Sequence, residues 1–205
     1  MPTSASPLPG EQIIARSETA LVLLDLENRF FWKSQDGPEL PAAGLIPNLS
    51  RILGAAREKN VLRIIVSTIL DERADSDSWR RRRSILRQSM PWLAQHTEWS
   101  SQVASPFLPQ PDEITVTKLR MSAFHGTSLE IFLRSRGVQT LVLAGVATNG
   151  AILATFLDSL SHDLHAFVVR DAVQGTSPQL HDAALNIIAS ANLVDTSALC
   201  RVWQG

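Results

Sequence analysis

The sequence predicts a single α/β domain in three layers, with a mainly parallel six-stranded sheet between helices. Three observations support this fold class. Short apolar segments rich in β-branched residues recur along the chain, and helical patterns separate several of them. Such alternation is typical of a parallel sheet that is covered on both faces. The chain has 205 residues, 44% of them hydrophobic, which is enough for one domain with a substantial core.

Each element is predicted from its own local pattern. Helices are expected over 45–56, 128–136 and 152–160, where apolar residues recur three and four positions apart. Segment 71–111 interrupts the alternation and is expected to cross the top of the sheet as a helix with loops. Six apolar runs are predicted to form strands: Ala20–Leu24, Leu62–Ser67, Ile114–Thr117, Thr140–Ala144, Ala166–Val169 and Leu193–Asp195.

Composition limits the domain organisation and the partners. Residues 1–17 are predicted to be a flexible N-terminal arm, because their first ten residues are rich in Pro and Ser, and 18–205 to be one domain. The arm lacks the order of a secretory signal and the chain has a single cysteine, Cys200, so a cytoplasmic protein is expected. A formal net charge of -1 and the lack of a long apolar run argue against nucleic-acid and membrane partners.

Candidate catalytic groups follow three of the predicted strands. Asp25 comes directly after Ala20–Leu24, Lys118 after Ile114–Thr117, and a tight turn, Gly145–Ala151, after Thr140–Ala144. Open α/β sheets bind ligands at the carboxyl ends of their strands, so an acid, an amine and a turn are brought to one edge. Spacing alone leaves two ordinary alternatives open, an aspartate that caps a loop and a lysine at a solvated strand end.

Three motifs then indicate a family. They are Asp25-Leu-Glu-Asn-Arg-Phe30, Lys118-Leu-Arg-Met-Ser-Ala-Phe124 and Gly145-Val-Ala-Thr-Asn149. In these motifs, their order and their separations, the chain resembles the isochorismatase-like, or cysteine hydrolase, superfamily from about Thr19 to Thr196. The resemblance implies that Asp25 and Lys118 are catalytic and that the Val146–Ala147 peptide bond is cis. It also places Ala151 where most members carry the nucleophilic cysteine, and a methyl group cannot attack a carbonyl.

Further residues are expected to bind a substrate around this site. Phe30 is predicted to form an apolar wall, and Arg120 to be either an ion-pair partner or a carboxylate clamp. Unpaired N–H groups at the start of the following helix are expected to cradle an anion or oxyanion. One arginine of the run 80–83 is a less favoured partner for a substrate carboxylate. The turn residues expected to contact substrate are Ala147, Thr148, Asn149 and Gly150.

No cofactor and no metal site are expected. Segment 25–41 contains no histidine, and Asp71, Asp75 and Asp77 have no partner at ligand spacing. A hydroxyl nucleophile is a minor alternative, because only His125 lies near the candidate hydroxyls in sequence. The candidate hydroxyls are those of Ser122, Thr148 and Thr155.

The expected function is a small-molecule hydrolase that uses Asp25 and Lys118 as acid and base without a cysteine nucleophile. The resemblance makes vinyl-ether cleavage the nearest precedent, since isochorismatases also lack a cysteine at the matching position. Two alternatives stay open: an engineered cysteine-to-alanine variant of a cysteine amidase, and a non-catalytic member that binds a small molecule or a protein. A homodimer or larger homo-oligomer is expected, with Trp92, Leu93 and Trp99 at its interface.

Overall fold

One sheet of six strands forms the centre of the molecule. In the computed structural model, which describes residues 10–15, 17–37, 39–89 and 97–204, the strand order is β3-β2-β1-β4-β5-β6. All neighbouring strands are parallel, so the predicted fold class is confirmed. The strands are β1 (Thr19–Leu24), β2 (Leu62–Thr68), β3 (Ile114–Lys118), β4 (Thr140–Val146), β5 (His165–Gln174) and β6 (Leu193–Val194).

The helices lie on both faces of this sheet. Three of the predicted helices form close to their expected positions, a fourth forms within 71–111, where a helix with loops was expected, and the others were not predicted as separate elements. The described helices are α1 (Gly10–Ile14), α2 (Asn28–Phe31), α3 (Ile46–Glu58), α4 (Asp77–Ser89), α5 (Glu98–Ser101), α6 (Leu129–Ser135), α7 (Leu153–Ser161), α8 (Pro178–Ile188) and α9 (Thr196–Gln204).

Residues of β1 alternate between two hydrophobic cores, as the pleat of a strand requires. Leu21 and Leu23 join the core under α1, α3 and α9, whereas Val22 and Leu24 join the core under α6, α7 and α8. All six residues of β1 are buried. A strand buried on both faces reads in sequence as a continuous apolar run, which is why β1 and β4 are readily predicted.

Helix α1 lies inside the segment that was expected to be a flexible arm. Its last residue, Ile14, is buried and packs in the core beside α9. The hydroxyl of Thr19 donates to the Ile14 carbonyl oxygen at 3.0 Å. The packed part of the chain therefore begins before residue 18, and residues 1–9 lie outside the described residues.

Strand β5 is longer than its apolar run predicted. The exposed residues Arg170 and Asp171 end the run, yet the strand continues. A register shift accommodates the extra β5 residues between Val168, which pairs with Leu143, and Val173, which pairs with Gly145. Strand β6, by contrast, ends at Val194. Nowhere in the described ranges does a helix have the length and apolar character needed to cross a bilayer.

The strand order reverses between β1 and β4. From β1 the chain moves to β2 and β3 on one side, and from β4 to β5 and β6 on the other. At such a switch point a crevice opens between the carboxyl ends of the two strands. Gly145 makes the close approach possible: its φ is 117°, and a Cβ there would lie 2.1 Å from the Leu24 carbonyl oxygen.

Candidate active site

Asp25 lies at the start of this crevice, directly after β1. Its φ of 55° is a left-handed conformation, which aspartate tolerates better than most residues. Its backbone N–H still continues the sheet by donating to the Val66 carbonyl oxygen at 2.8 Å. The residue is 4% exposed. The turn of the backbone thus presents a buried carboxylate at the carboxyl end of the sheet, as the sequence predicted.

Lys118 reaches Asp25 from the end of β3, across the whole width of β2. Its Nζ donates to Asp25 Oδ2 at 2.8 Å, to Thr68 Oγ1 at 2.6 Å and to the Arg120 carbonyl oxygen at 3.3 Å. Thr68 Oγ1 in turn donates to Asp25 Oδ1 at 2.8 Å. The three side chains form a closed triangle in which both carboxylate oxygens are held, so the expected Asp–Lys pair is brought together.

Thr68 is a site residue that the sequence did not single out. It ends β2, between the strands that carry Asp25 and Lys118. The one available signal was its place at the end of an apolar run, on the same edge of the sheet as the other two residues. Its hydroxyl accepts from the ammonium and donates to the carboxylate, which orients both groups without adding charge.

A second carboxylate, Glu27, is buried beside the triangle. Its Oε1 accepts from the Thr68 backbone N–H at 2.7 Å, while its Oε2 has no hydrogen-bond partner. Burial, and next the charge of Asp25, raise the pKa of Glu27 from 4.5 to about 8, against the lowering effect of Arg29. The Arg29 guanidinium lies 3.5 Å from Oε1. Because the raised pKa keeps Glu27 mostly protonated at pH 7, the Arg29 cation then faces a neutral carboxyl group.

The turn after β4 supplies the opposite wall of the crevice. The Val146–Ala147 peptide bond is cis, as the resemblance implied. Residues Thr148–Ile152 form a π-helical turn in which Gly150 has non-helical backbone angles. The N–H groups of Gly150 and Ile152 both donate to the Ala147 carbonyl oxygen, at 2.9 and 3.2 Å. Two of the N–H groups that were expected to be free to bind an anion are therefore already used within the turn.

A cavity of about 480 Å³ opens between these walls and α4. Its size is suitable for a small molecule. Asp25 and Lys118 lie in its wall together with Ala151, the position of the family cysteine. The lining residues are Asp25, Arg29, Phe30, Thr68, Leu70, Trp79, Arg82, Arg83, Ile85, Leu86, Arg87, Lys118, Arg120, Met121, Ala147, Asn149, Gly150, Ala151, Thr176, Ser177 and Leu180.

The predicted substrate-binding residues fall into two groups. Phe30, Arg120, Ala147, Asn149 and Gly150 line the cavity, whereas Thr148 is fully buried and is not among the lining residues described.

Thr148 and Asn149 both hold the turn against the segment that precedes and begins α8. The Thr148 hydroxyl lies 2.9 Å from His181 Nδ1. Asn149 uses its amide for Thr176: Nδ2 donates to Thr176 Oγ1, and Oδ1 accepts from the Thr176 N–H, both at 2.9 Å. Sequence reasoning missed His181, which lies 33 positions from Thr148 and carries no local signal of the contact.

Arg120 was expected to be either an ion-pair partner or a carboxylate clamp, and its contacts in the structure are with backbone carbonyl groups and an aromatic ring. Its guanidinium donates to the carbonyl oxygens of Leu119 at 2.9 Å and Ala74 at 2.7 Å, and it stacks 5.0 Å from the ring centroid of Trp79. Within the described ranges it forms no ion pair. It remains a cation in the cavity wall, where Trp79 shields one face.

The other hydroxyl groups considered as nucleophiles have structural partners. Thr155 Oγ1 accepts from the Ala123 N–H at 3.0 Å, and Ser122 Oγ accepts from the Phe124 N–H at 3.1 Å. His125 is exposed and lies in the loop before α6. None of these residues is among those described as lining the cavity.

Of the parts of the chain that are described, none brings together three or more His, Cys, Asp or Glu side chains as a metal site would.

Residues 19–198 match the isochorismatase domain. The chain belongs to the isochorismatase family. It is thus a member of a hydrolase family, as its three motifs predicted. In sequence it is 28% identical over 187 residues to a probable inactive nicotinamidase of Arabidopsis thaliana, covering 91% of this chain and 94% of that protein.

Two further comparisons support the assignment to the isochorismatase family. The chain is 27% identical over 195 residues to the ureidoacrylate amidohydrolase RutB of Serratia proteamaculans, covering 86% of this chain and 77% of that enzyme. The crystal structure of a cysteine hydrolase from Pseudomonas syringae pv. phaseolicola superposes with a TM-score of 0.79 at 22% identity, over 100% of this chain and 99% of that one. The latter similarity is one of fold.

Proposed function

We propose that this isochorismatase-family protein hydrolyses a small molecule by acid–base catalysis at Asp25, without a covalent enzyme intermediate. The observation that carries the proposal is the buried Asp25–Lys118–Thr68 triangle, which opens on the cavity while a methyl group occupies position 151. A retained acid–base pair and a missing nucleophile are the combination expected for a reaction in which water, and not the protein, attacks. Cleavage of a vinyl ether meets this requirement.

The chemistry can be written on the atoms of the site. Asp25, once protonated, donates this proton to the terminal carbon of the vinyl ether, and the ether oxygen stabilises the resulting cation. Water adds to the cationic carbon and returns a proton to Asp25. The hemiketal then collapses to an alcohol and a carbonyl compound, so one water is consumed. After Asp25 has given up its proton, Lys118 stabilises the resulting carboxylate through the 2.8 Å contact.

General acid catalysis of this kind contributes about 10²- to 10⁴-fold to a rate. Positioning in the cavity supplies further acceleration, because the reacting bond is held against one acid. The apolar lining around Phe30 and Met121 suits a substrate that is mostly hydrocarbon near the scissile bond.

The test is hydrolysis by the purified protein of a panel of vinyl ethers and of primary and ureido amides. We expect turnover of a vinyl ether, and a loss of about 10²- to 10⁴-fold in kcat/KM for Asp25→Asn. Asp36→Asn makes the same chemical change at an exposed residue and should leave kcat/KM unchanged. The proposal would be contradicted if Asp25→Asn kept the parental rate of turnover, or if the parental protein hydrolysed only amides.

A non-catalytic member is the second candidate, favoured by Ala151 and by the Arabidopsis relative described as probably inactive. In that case the cavity binds a small molecule and the triangle serves only the fold. The panel separates the two functions, because binding of a vinyl ether by calorimetry without any turnover supports the binding protein and refutes the enzyme.

We also propose that the protein works as a homo-oligomer in the cytoplasm, without nucleic-acid or membrane partners. Exposed apolar side chains at Ile131, Leu157 and Ile187 are available for subunit contacts. Trp92 and Leu93, expected at the interface, lie outside the described residues, and Trp99 is half-buried in α5. A sedimentation mass equal to that of one chain at micromolar concentration would refute the oligomer.

A further inference from the structure

Two buried polar atoms beside the Asp25–Lys118–Thr68 triangle have no hydrogen-bond partner. They are Glu27 Oε2 and Arg29 Nη1, on side chains that are 0% and 3% exposed. The two side chains are neighbours, because Arg29 Nη2 lies 3.5 Å from Glu27 Oε1. A buried acceptor and a buried donor that are both left unpaired are costly, so their presence on adjacent side chains requires an explanation.

Thr68 holds both carboxyl groups and both cations of this region in place. Its backbone N–H donates to Glu27 Oε1 at 2.7 Å, and its carbonyl oxygen accepts from Arg29 Nη2 at 3.0 Å. Its hydroxyl donates to Asp25 Oδ1 at 2.8 Å and accepts from Lys118 Nζ at 2.6 Å. Each carboxyl group therefore receives one hydrogen bond from Thr68. Each also has its own cation, the ammonium beside Asp25 and the guanidinium beside Glu27.

The two carboxyl groups do not behave as independent acids. After burial, the charge of Asp25 is the largest factor that raises the pKa of Glu27. Coupling between two sites is reciprocal, so a charged Glu27 must favour a proton on Asp25 to the same extent. The segment 102–104, whose backbone bridges Glu27 at Val103, has no ionisable side chain. The protonation of each carboxyl group thus depends on the other one and on the two cations.

We propose that Asp25 and Glu27 share one proton, and that Arg29 Nη1 is the donor that receives Glu27 whenever the proton is on Asp25. With the proton on Glu27, the major state, Asp25 is the anion and Lys118 is its partner. With the proton on Asp25, Glu27 is the anion, and a small rotation of its carboxylate lets Oε2 accept from Arg29 Nη1. A two-bond fork between arginine and carboxylate is among the strong charge-assisted pairings in proteins.

This arrangement supplies the proton that vinyl-ether cleavage needs, and only in that respect does the inference rest on the proposed function. When Asp25 gives its proton to the substrate, both carboxyl groups are anionic and each has its own cation. Water addition then returns a proton to Asp25, so the shared proton is restored after each turnover. Glu27 is not among the residues described as lining the cavity. It is therefore a positioning residue, which acts through Asp25.

Isotope-edited infrared spectroscopy of the full-length protein locates the proton without any turnover. The C=O stretch of a protonated carboxyl group is lost on ionisation, so spectra are compared on either side of the Glu27 pKa of about 8. Suitable values are about pH 6 and about pH 10, because ordinary carboxyl groups are ionised at both. The protein is labelled with ¹³C in the side-chain carboxyl group of either aspartate or glutamate. We expect the lost band to have two components, a larger one that glutamate labelling shifts and a smaller one that aspartate labelling shifts.

Two variants should redistribute the proton in different ways. Glu27→Gln keeps the shape of the side chain and should abolish both components, because Asp25 then has a cation and no second carboxyl group beside it. Arg29→Met removes the cation that receives an ionised Glu27. In this variant the aspartate component should disappear and the glutamate component should persist to higher pH. Glu58→Gln makes the same change as Glu27→Gln at an exposed residue of α3 and should leave both components unchanged.

Three infrared results would overturn the inference. If aspartate labelling shifts no part of the band in the parent, the proton belongs to Glu27 alone. If no band is lost between the two pH values, the two carboxyl groups hold no proton in this range. An aspartate component that is unchanged in Glu27→Gln or in Arg29→Met would show that Asp25 is protonated independently of both residues.

The pH dependence of vinyl-ether hydrolysis is a second readout. Glu27→Gln should lower kcat/KM at pH 7 about 10-fold or more, because each unit of coupling in pKa is a factor of 10. The loss should become smaller toward acidic pH, where Asp25 takes up a proton without help from Glu27. A loss that is equal at every pH is what a structural role predicts, and it would contradict the shared proton.

The two proposals can fail separately. If both infrared components are found but no vinyl ether is hydrolysed, the shared proton stands and the proposed reaction is wrong. If a vinyl ether is hydrolysed with the Asp25 dependence described above but the aspartate component is missing, the reaction stands and the shared proton is wrong.

Discussion

Removing one member of the buried Asp25–Lys118 pair should destabilise the protein strongly. The two side chains are only 6% and 2% exposed. Lys118→Met eliminates the ammonium contacts to Asp25, Thr68 and the Arg120 carbonyl oxygen. It leaves a buried carboxylate with the Thr68 hydroxyl as its remaining side-chain donor. Breaking a buried pair in this way costs about 3–5 kcal/mol of unfolding free energy.

The measurement is a double-mutant cycle in urea at pH 7, with fluorescence and circular dichroism as independent probes of unfolding. Asp25→Asn should cost about as much as Lys118→Met, because it leaves the ammonium uncompensated. The double variant should lose less than the sum of the two, with a coupling energy of about 1–3 kcal/mol. Arg134→Met, which breaks an exposed pair with Glu130, should cost less than about 1 kcal/mol.

Additive effects in this cycle would refute the reasoning. If each single variant lost less than about 1 kcal/mol, as exposed pairs do, the pair would behave as a solvated contact. The burial that underlies both the site geometry and the proposed acid would then be wrong. A double variant that is less stable than the sum of the single variants would contradict the expected sign of the coupling.

Three further predictions test other parts of the site. Gly145→Ala should cost roughly 2–4 kcal/mol, because its Cβ meets the Leu24 carbonyl oxygen at a φ of 117°; in the control Gly54→Ala, where the helical glycine faces open space, unfolding free energy should rise by about 0.5–1 kcal/mol. Because burial raises the pKa of Glu27 to about 8, parental stability should fall as pH rises from about 4.5 to 8. In Glu27→Gln the unfolding free energy should not fall over this pH range, so the variant should gain up to about 5 kcal/mol relative to the parent across it. Parallel pH profiles of the parent and the variant would contradict the raised pKa of Glu27. Ala151→Cys should gain a thiol that iodoacetamide labels but little amide hydrolysis, and restored amidase activity in this variant would indicate a disabled cysteine amidase.

The strands could be predicted because burial on both faces of a sheet produces a continuous apolar run in the sequence. The run before Asp25 is apolar throughout, and parallel pairing places the ends of β1 and β3 on one edge. Lys118 could therefore be assigned to the same site as Asp25 although 93 positions separate them. The cis bond before Ala147 came from the family resemblance, since nothing in the local residue types requires it.

Other features depend on contacts between distant parts of the chain. Thr68 resembles any hydroxyl at a strand end until Asp25 and Lys118 are placed on either side of it. Arg83 belongs to a run of four arginines, and only the packing of α4 shows that it is buried while Arg81 is exposed. The periodicity of apolar residues predicts that such a run lies on a solvated face of the helix, because it contains no information about the surface against which the helix packs.

The distribution of charge in the cavity bears directly on the proposed reaction. Protonation of a vinyl ether creates a positive charge on the substrate, and arginines in the cavity wall disfavour that charge in a medium of low dielectric constant. Asp25 becomes anionic as it gives up its proton, which offsets the new charge locally, while Lys118 already neutralises part of that anion. The transfer of the proton therefore leaves the net charge of the Asp25–Lys118 pair and its substrate unchanged.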